Sequence, residues 1–143
     1  FFRRQNYTSG QKFDARISIG LGTVETQRTK LRSSTGEAFN LSGIGLDKLK
    51  GQNIGVFTNS TEFQSRISLL IKFVDAKIDN LTQVQIQALY EYLIDENNNH
   101  DEIAKRLNKS RVNTTKLLNM ASYQLFDEFI DTFETLKSEL IHD

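Results

Sequence analysis

The spacing of apolar side chains in the last third of the chain is the feature that most constrains its fold. From Asn99 to His142, apolar residues recur every three or four positions, and the pattern is interrupted only near Asn108. This spacing gathers apolar side chains on one face of an α-helix. The chain also contains no proline that would break such helices. The segment therefore predicts successive amphipathic helices that must bury their apolar faces.

The first half of the chain predicts a strand, a helix and a second strand. Apolar residues alternate with polar residues or glycine over 13–21, which indicates a strand with one buried face. A helix is expected over 36–49 and a second strand over 54–58. Gly43 and Gly45 lower the helix propensity of this segment, so we expect tight packing at both. The residues expected on the buried face of the first strand are Phe13, Ala15, Ile17, Ile19 and Leu21.

Capping signals mark the helices that follow. Asn59 and Ser60 are both suitable N-caps for a long helix, and Thr82 with Gln85 forms a capping box that opens the next one. We predict two domains, residues 1–79 and 80–143. The predicted fold class is α+β and mostly α. It consists of a partial α/β unit with at least two strands and a helix, followed by a helical domain that ends in a long helix.

The composition excludes several classes of function. The absence of cysteine excludes a disulfide framework, a thiolate zinc site and a thiol nucleophile. His100 and His142 have no companion ligands at metal-binding spacing, and no hydrolase motif or phosphate-binding loop occurs. The longest apolar run, 69–71, is far below the roughly 20 residues of a membrane span. We therefore expect a soluble cytoplasmic protein, and we assign it no metal, cofactor or catalytic residue.

The charges are segregated along the chain, although the formal net charge is zero. Residues 100–122 carry five basic and two acidic side chains, and residues 1–50 are also basic. Residues 51–99 and 123–143 are acidic. A local positive patch over 100–122 suits an anionic partner.

Residues 99–121 have the pattern of two short helices joined by a tight turn. Asn99 caps the first helix, with Glu102 expected to bond back to it, and Ser110 caps the second. Asn108 stands where the chain reverses, because Asn tolerates the left-handed conformation. With an amphipathic helix before them, these helices have the arrangement of a trihelical DNA-binding unit.

This stretch resembles the helix-turn-helix of bacterial regulators, whose pattern is E-I-A-x-x-L-x-x-S. Two positions depart from that pattern. Lys109 occupies a turn position that is usually apolar, and Thr114 stands where a buried Val is usual. The matching residues are Glu102, Ile103, Ala104, Leu107 and Ser110, and Leu117 and Ala121 continue the inner face.

The resemblance implies double-stranded DNA as a partner. Asn and Arg side chains on the second helix would contact bases, and Val would contact a thymine methyl group. Lys105, Arg106 and Lys109 would lie near phosphates. The alternative is an ordinary three-helix module with a solvated basic face that packs or binds a protein. The predicted DNA-binding residues are Lys105, Arg106, Lys109, Ser110, Arg111, Val112, Asn113, Thr115, Lys116 and Asn119.

Two segments of the first half, DARISIGLGTVE and STGEAFNLSGIGLDKLK, resemble the SatD-like bacterial family. In that family such a strand and helix precede a C-terminal helix-turn-helix. The segments are more distantly similar to the class III nucleotide cyclase fold. Asn40 matches the cyclase Asn, but Ile44 stands where cyclases have Arg, and an aliphatic side chain cannot stabilise a phosphoryl transition state.

The resemblance therefore implies a degenerate cyclase-like part that acts as a sensor or scaffold, with a nucleotide-binding protein or enzyme as the alternative. A strand and helix that simply pack closely would explain the same residues. The candidate nucleotide-binding remnant consists of Arg16, Gly20, Gly22, Gly36 and Asn40.

The last segment has a wide apolar stripe rich in phenylalanine. Such a stripe needs a partner, because each buried aromatic ring contributes a large apolar area. It either packs on the long helix around 63–78 or forms a homodimer, which would place two DNA-binding units together. The residues proposed for the dimer are Phe126, Phe129, Ile130 and Phe133. The expected function is transcription regulation through DNA binding, and a protein interaction module is a further alternative.

Overall fold

The computed structural model describes residues 15–22, 36–95 and 97–142. These residues are mostly helical and include a two-stranded sheet, so the predicted α+β, mostly α, fold class is confirmed. No helix among them is both long enough and apolar enough to cross a membrane. The elements are β1 (Ile17–Leu21), α1 (Glu37–Lys48), β2 (Ile54–Thr58), α2 (Thr61–Asp79), α3 (Gln83–Leu93), α4 (His100–Arg106), α5 (Arg111–Ala121) and α6 (Tyr123–His142).

The described residues form two compact units. An α/β unit contains residues 15–22, 36–76 and 132–142, and a helical unit contains residues 77–95 and 97–131. The helices α2 and α6 each contribute residues to both units. The division into domains 1–79 and 80–143 stays a prediction.

In the α/β unit, β1 and β2 pair in parallel, with Ile17 opposite Ile54 and Leu21 opposite Thr58. The helix α1 crosses β1 very closely at Gly20. A Cβ atom at this position would lie 2.1 Å from the carbonyl oxygen of Ala38. Glycine allows this close approach near the end of the strand because it has no Cβ atom.

The face of β1 that contacts α1 is the opposite of the predicted one. Ser18 and Gly20 lie against the helix, whereas Ile17 and Ile19 are 43% and 42% exposed. The expectation of a buried isoleucine face is wrong because a helix approaches a strand most closely over small side chains. Phe13, which was expected on the same strand, lies outside the described residues.

The two glycines of α1 have different surroundings. A Cβ atom at Gly45 would lie 2.2 Å from Cδ2 of Phe57 and 2.4 Å from Oγ of Ser18. No atom comes within 4 Å of a Cβ atom built at Gly43. The expected tight packing is confirmed at Gly45 and wrong at Gly43.

The side chain of Gln64 on α2 pairs with the backbone of β2. Its Nε2 donates to the carbonyl oxygen of Val56 at 3.0 Å, and its Oε1 accepts from the N–H of Thr58 at 3.0 Å. Farther along the helix, the carboxylate of Asp75 accepts from the N–H of Asn53 at 3.0 Å. These bonds satisfy backbone groups of β2 and of the residue before it, groups that would otherwise need water or another strand.

The apolar side of α2 receives the last part of α6. Phe63 contacts Phe133 edge to face, with the ring centroids 6.2 Å apart, and Nη1 of Arg66 lies 3.1 Å from Oε2 of Glu139. Of the two predicted N-caps, Ser60 caps α2, because its Oγ accepts from the N–H of Phe63 at 3.2 Å. Phe133 thus packs within the chain, as the intramolecular alternative expects.

The two glycines of α1 give a matched test of this packing. We expect Gly45→Ala to lower the free energy of unfolding by about 1–3 kcal/mol, because the new methyl group must displace Phe57 and Ser18. Gly43→Ala should raise the free energy of unfolding by about 0.5–1 kcal/mol, since alanine favours the helix and the space is open. Chemical denaturation of both variants measures the difference. Equal effects of the two substitutions would contradict this account of α1.

Candidate nucleic-acid interface

The helices α3, α4 and α5 share one apolar core. Its buried members are Ala88 and Tyr92 of α3, Ile103 of α4 and Leu118 of α5. The helix α3 begins at the predicted capping box, in which the N–H of Thr82 donates to Oε1 of Gln85 at 2.8 Å. Leu107, Leu117 and Tyr123 pack around this core.

The N-terminus of α4 is capped as predicted, but without the expected reciprocal bond. Oδ1 of Asn99 accepts from the N–H of Asp101 at 2.9 Å. Glu102 instead accepts from Nζ of Lys105 at 2.7 Å. The prediction that Glu102 bonds back to Asn99 is therefore wrong, because a cation one turn later on the same helix takes its carboxylate.

The turn between α4 and α5 is fixed by the backbone. Asn108 has a φ of 51°, the left-handed conformation predicted for this position. The N–H of Lys109 donates to the carbonyl of Ala104 at 2.9 Å, and the N–H of Asn108 donates to the carbonyl of Lys105 at 3.0 Å. These two bonds form a Schellman motif that satisfies the last carbonyls of α4. Ser110 then caps α5 by accepting from the N–H of Asn113 at 3.3 Å.

The helical pattern from Asn99 to His142 has a second break that the sequence analysis does not predict. Ser122 has a φ of 60° and separates α5 from α6. Its hydroxyl accepts a hydrogen bond from Nζ of Lys77 at 3.0 Å. The apolar spacing continues through Ser122, so periodicity gives no sign of this break.

One side of α5 is buried and the other is open to solvent. Thr114, Leu118 and Ala121 are buried. Most of the predicted base-contacting residues are exposed, and Thr115 is half-buried. The exposed side also includes Met120, which the sequence analysis does not single out although it lies four residues after Lys116. The exposed residues of α5 are Arg111, Val112, Asn113, Lys116, Asn119 and Met120.

His100 and Tyr92 make polar contacts that connect α4 to α5 and α3 to α6. Nδ1 of His100 lies 3.0 Å from Oγ1 of Thr115. The His100 ring also contacts Tyr92 and Tyr123 edge to face. The hydroxyl of Tyr92 donates to Oδ2 of Asp127 at 2.7 Å. Burial and this bond to a carboxylate raise the pKa of Tyr92 well above its ordinary value, so the hydroxyl keeps its proton and remains a donor.

Arg106, predicted as a phosphate contact, is engaged by two carboxylates. Its Nε lies 2.7 Å from Oε2 of Glu91, and its Nη2 lies 2.6 Å from Oδ2 of Asp95. The hydrogen bond from Arg106 holds the pKa of Asp95 below its ordinary value. Arg106 therefore ties the end of α4 to the end of α3.

The other predicted cations differ in whether a carboxylate is already paired with them. Lys105 pairs with Glu102 on its own helix, and Arg111 lies 3.6 Å from Asp101. Exposed pairs of this kind are weak and exchange readily for another anion. Among the described residues, Lys109 and Lys116 have no ion pair.

Thr114, one of the two departures from the regulator pattern, is fully buried. Its Oγ1 has no hydrogen-bond partner. A buried hydroxyl without a partner is destabilising, because it loses its hydrogen bonds to water. The residue packs like the usual Val, but it carries this additional cost.

The candidate nucleotide-binding residues lie along β1 and the first turn of α1, and their role in binding a nucleotide stays a prediction. Gly20 packs against α1, and Asn40 and Arg16 are exposed. Gly36 is buried and is the N-cap residue of α1, without a side-chain cap. Of the five, only Gly22 lines a cavity of about 490 Å³ beside the carboxyl ends of β1 and β2. The described lining residues are Leu21, Gly22, Glu37, Thr58, Asn59, Ser60, Lys137 and Leu140.

This cavity has a location where open α/β sheets bind ligands, at the carboxyl ends of parallel strands. It contains both a carboxylate, Glu37, and an amine, Lys137. Glu37 accepts a hydrogen bond from Asn59, and Lys137 pairs with Glu134. The described residues contain no group of three His, Asp or Glu side chains able to hold a metal ion.

No family model, curated protein or solved structure matches this chain. The SatD-like resemblance therefore stays a prediction that rests on the motifs quoted above.

Replacement of the buried hydroxyl tests the packing of α5. We expect Thr114→Val to raise the free energy of unfolding by about 1 kcal/mol, because it removes an unpaired buried polar group and keeps the shape. The matched control is Thr115→Val, which removes the hydroxyl that bonds His100 and should be destabilising. Thermal or chemical unfolding measures both. Destabilisation by Thr114→Val would show that its hydroxyl has a partner.

Arg106 provides a test that depends on pH. In the folded protein the pKa of Asp95 lies below its ordinary value of 3.8, so this pair stabilises the fold above that pH and the contribution is lost as the pH falls through the lowered pKa. We expect Arg106→Met to lower stability at pH 7 and to flatten the fall in stability with acid. Unfolding at a series of pH values measures both effects.

Lys105→Met is the control for Arg106→Met, because it removes an exposed pair on the same helix. It should change stability little at any pH. An Arg106→Met variant that is as stable as Lys105→Met would overturn the bridging role of Arg106.

Proposed function

We propose that the chain is a DNA-binding transcriptional regulator of the bacterial cytoplasm, similar to SatD-like proteins. In this proposal α4, the turn at Asn108 and α5 form a helix-turn-helix, and α5 enters the major groove of double-stranded DNA. The observation that carries the proposal is the exposed side of α5. It combines an unpaired lysine with amide and apolar side chains on a helix whose other side is buried.

The rigid mounting of α5 supports this assignment. A helix that discriminates bases must present its side chains in one orientation, which requires a supporting core. Leu118 lies in the shared core with Ile103 of the preceding helix, and His100 contacts Thr115 from outside that core. The exposed side chains are consequently fixed relative to α3 and α4.

The charges suit the sugar-phosphate backbone of DNA. Lys109, in the turn, and Lys116, on the exposed side of α5, are free to contact phosphates. Lys105 and Arg111 can leave their exposed carboxylate partners for phosphates, which carry a more concentrated negative charge. Arg106 is left out of the proposed contacts because two carboxylates hold it.

We further propose that the regulator acts as a homodimer, since two such units bind neighbouring half-sites. The predicted phenylalanine stripe is partly used inside the chain: Phe126 is buried and Phe133 packs on Phe63. Leu125 and Ile130 of α6 remain exposed. The homodimer contact on α6 is therefore proposed at these two residues rather than at the rings.

A second candidate function, favoured by the cavity beside Gly22, is binding of a nucleotide or another small ligand by the α/β unit. Its lining combines the apolar side chains of Leu21 and Leu140 with the charged groups of Glu37 and Lys137, the mixture that ligand pockets commonly have. Such a ligand would make this unit the sensor of the regulator. No catalytic step is proposed, because Ile44 is an exposed aliphatic residue where a cyclase needs a cation.

The salt dependence of binding tests the proposal. We expect the protein to bind duplex DNA at low ionic strength, with a logarithmic affinity that falls linearly with the logarithm of salt concentration. Lys109→Ala and Lys116→Ala should each weaken binding several-fold and reduce that slope by about 1. Fluorescence anisotropy with a labelled duplex measures both quantities.

Lys72→Ala on α2 is the matched control, because it removes an exposed lysine outside the proposed interface. It should leave both affinity and slope unchanged. Undetectable binding at low salt, or an equal loss in the Lys72→Ala variant, would overturn the proposed function. In that case a protein partner becomes the better explanation for the exposed side of α5.

A further inference from the structure

We infer that α5 recognises A·T base pairs, with Val112 contacting the methyl group of a thymine. This inference rests on the proposed DNA binding, and it names the sequence class that the exposed side of α5 would select.

Val112 is the second residue of α5 and is 80% exposed. A valine there contributes little to the free protein. It buries almost no apolar area, and its branched side chain is less favourable in a helix than alanine. The N-terminal residues of a recognition helix are the ones that reach base edges. The two exposed methyl groups of Val112 can pack against the methyl group of thymine, which is the apolar group that the major groove displays.

The residues that share the exposed side with Val112 have a consistent chemistry. Asn113 and Asn119 can each bond N6 and N7 of adenine through both atoms of the amide. Met120, 54% exposed, offers a second flexible apolar contact. Guanine is read mainly by Arg or Lys, and Lys116 is the unpaired cation on this side of the described helix. Four of these five side chains therefore suit adenine or thymine.

The arrangement of these residues argues against a protein-docking surface. Lys116 lies four residues after Val112 and four before Met120, so it stands between the two apolar side chains on the helix surface. Docking surfaces on helices have a contiguous apolar stripe. Separated apolar groups among amide and amine groups fit the alternating pattern of methyl, acceptor and donor groups along base-pair edges.

Arg111 does not change this assignment. It is the first residue of α5 and lies 3.6 Å from the carboxylate of Asp101. In the structure its guanidinium therefore lies beside the first turn of α4. When the ion pair with Asp101 opens, Arg111 contacts a DNA phosphate near the beginning of α5.

The experiment uses the full chain and begins with selection of bound duplexes from a random pool. We expect the selected sites to be rich in A·T pairs. Each thymine of the best site is then replaced by uracil, which removes only the methyl group. At the contacted position the affinity should fall about fourfold, the value of one buried methyl group. At other thymines it should stay unchanged.

The variant Val112→Ser identifies the residue responsible. It should bind the thymine duplex more weakly and should no longer distinguish thymine from uracil at the contacted position. The matched control is Val84→Ser, because Val84 is also the second residue of a helix and is 45% exposed. Val84→Ser should keep the full discrimination.

The possible failures are distinguishable. Selected sites dominated by G·C pairs would overturn the inference and leave the proposed function intact. Affinity that is unaffected by uracil at every position would also overturn the inference alone. So would a Val112→Ser variant that still distinguishes thymine from uracil. A protein that binds no duplex in the initial selection would overturn the proposed function together with the inference.

Discussion

The contact between α4 and α5 in the apolar core is the constraint on which the rest of the helical unit depends. Ile103 and Leu118 are both fully buried and meet Ala88 and Tyr92 of α3. Two short helices cannot remain folded in isolation, because a helix of 7 or 11 residues is marginal in water. Their burial against α3 supplies the missing stability, and it also determines which residues of α5 face solvent. Stability and orientation have the same cause.

Polar groups around this core supply the directional contacts that an apolar core lacks. Hydrophobic contact is non-directional and tolerates small rotations of a helix about its axis, whereas a hydrogen bond has a preferred angle. The bonds of Tyr92 with Asp127 and of His100 with Thr115 connect α3 to α6 and α4 to α5. Arg106 adds a connection between the ends of α3 and α4. Of these contacts, the one between His100 and Thr115 acts on α5 itself and reinforces the orientation that the core imposes on it.

Local signals in the sequence predict most elements, because those signals act through neighbouring residues. The capping box at Thr82, the left-handed turn at Asn108 and the cap at Ser110 depend on spacings of one to three residues, and all three are confirmed. The pairing of Arg106 with Glu91 and Asp95 joins separate helices, so no local pattern indicates it.

The same reasoning explains the exposed face of β1. Alternation shows that Ile17 and Ile19 share one face of the strand. It does not show which face a helix will cover, because small residues compete with apolar ones as helix contacts. In the candidate site, exposed helix positions follow from periodicity. Which cations are already paired is a tertiary property, so the sequence could not separate Arg106 from Lys109 and Lys116.

The side chain of Gln64 has a consequence for how the small sheet can grow. An amide side chain that both donates to one strand and accepts from it offers the same two bonds as a peptide group of an added strand. With those positions on β2 filled, another strand cannot join there without displacing the glutamine and part of α2. Any extension of the sheet, whether by this chain or by another molecule, is thereby directed to the side of β1. Gln64 thus protects β2 from pairing with another strand at these positions and leaves the β1 side as the edge where a strand can be added.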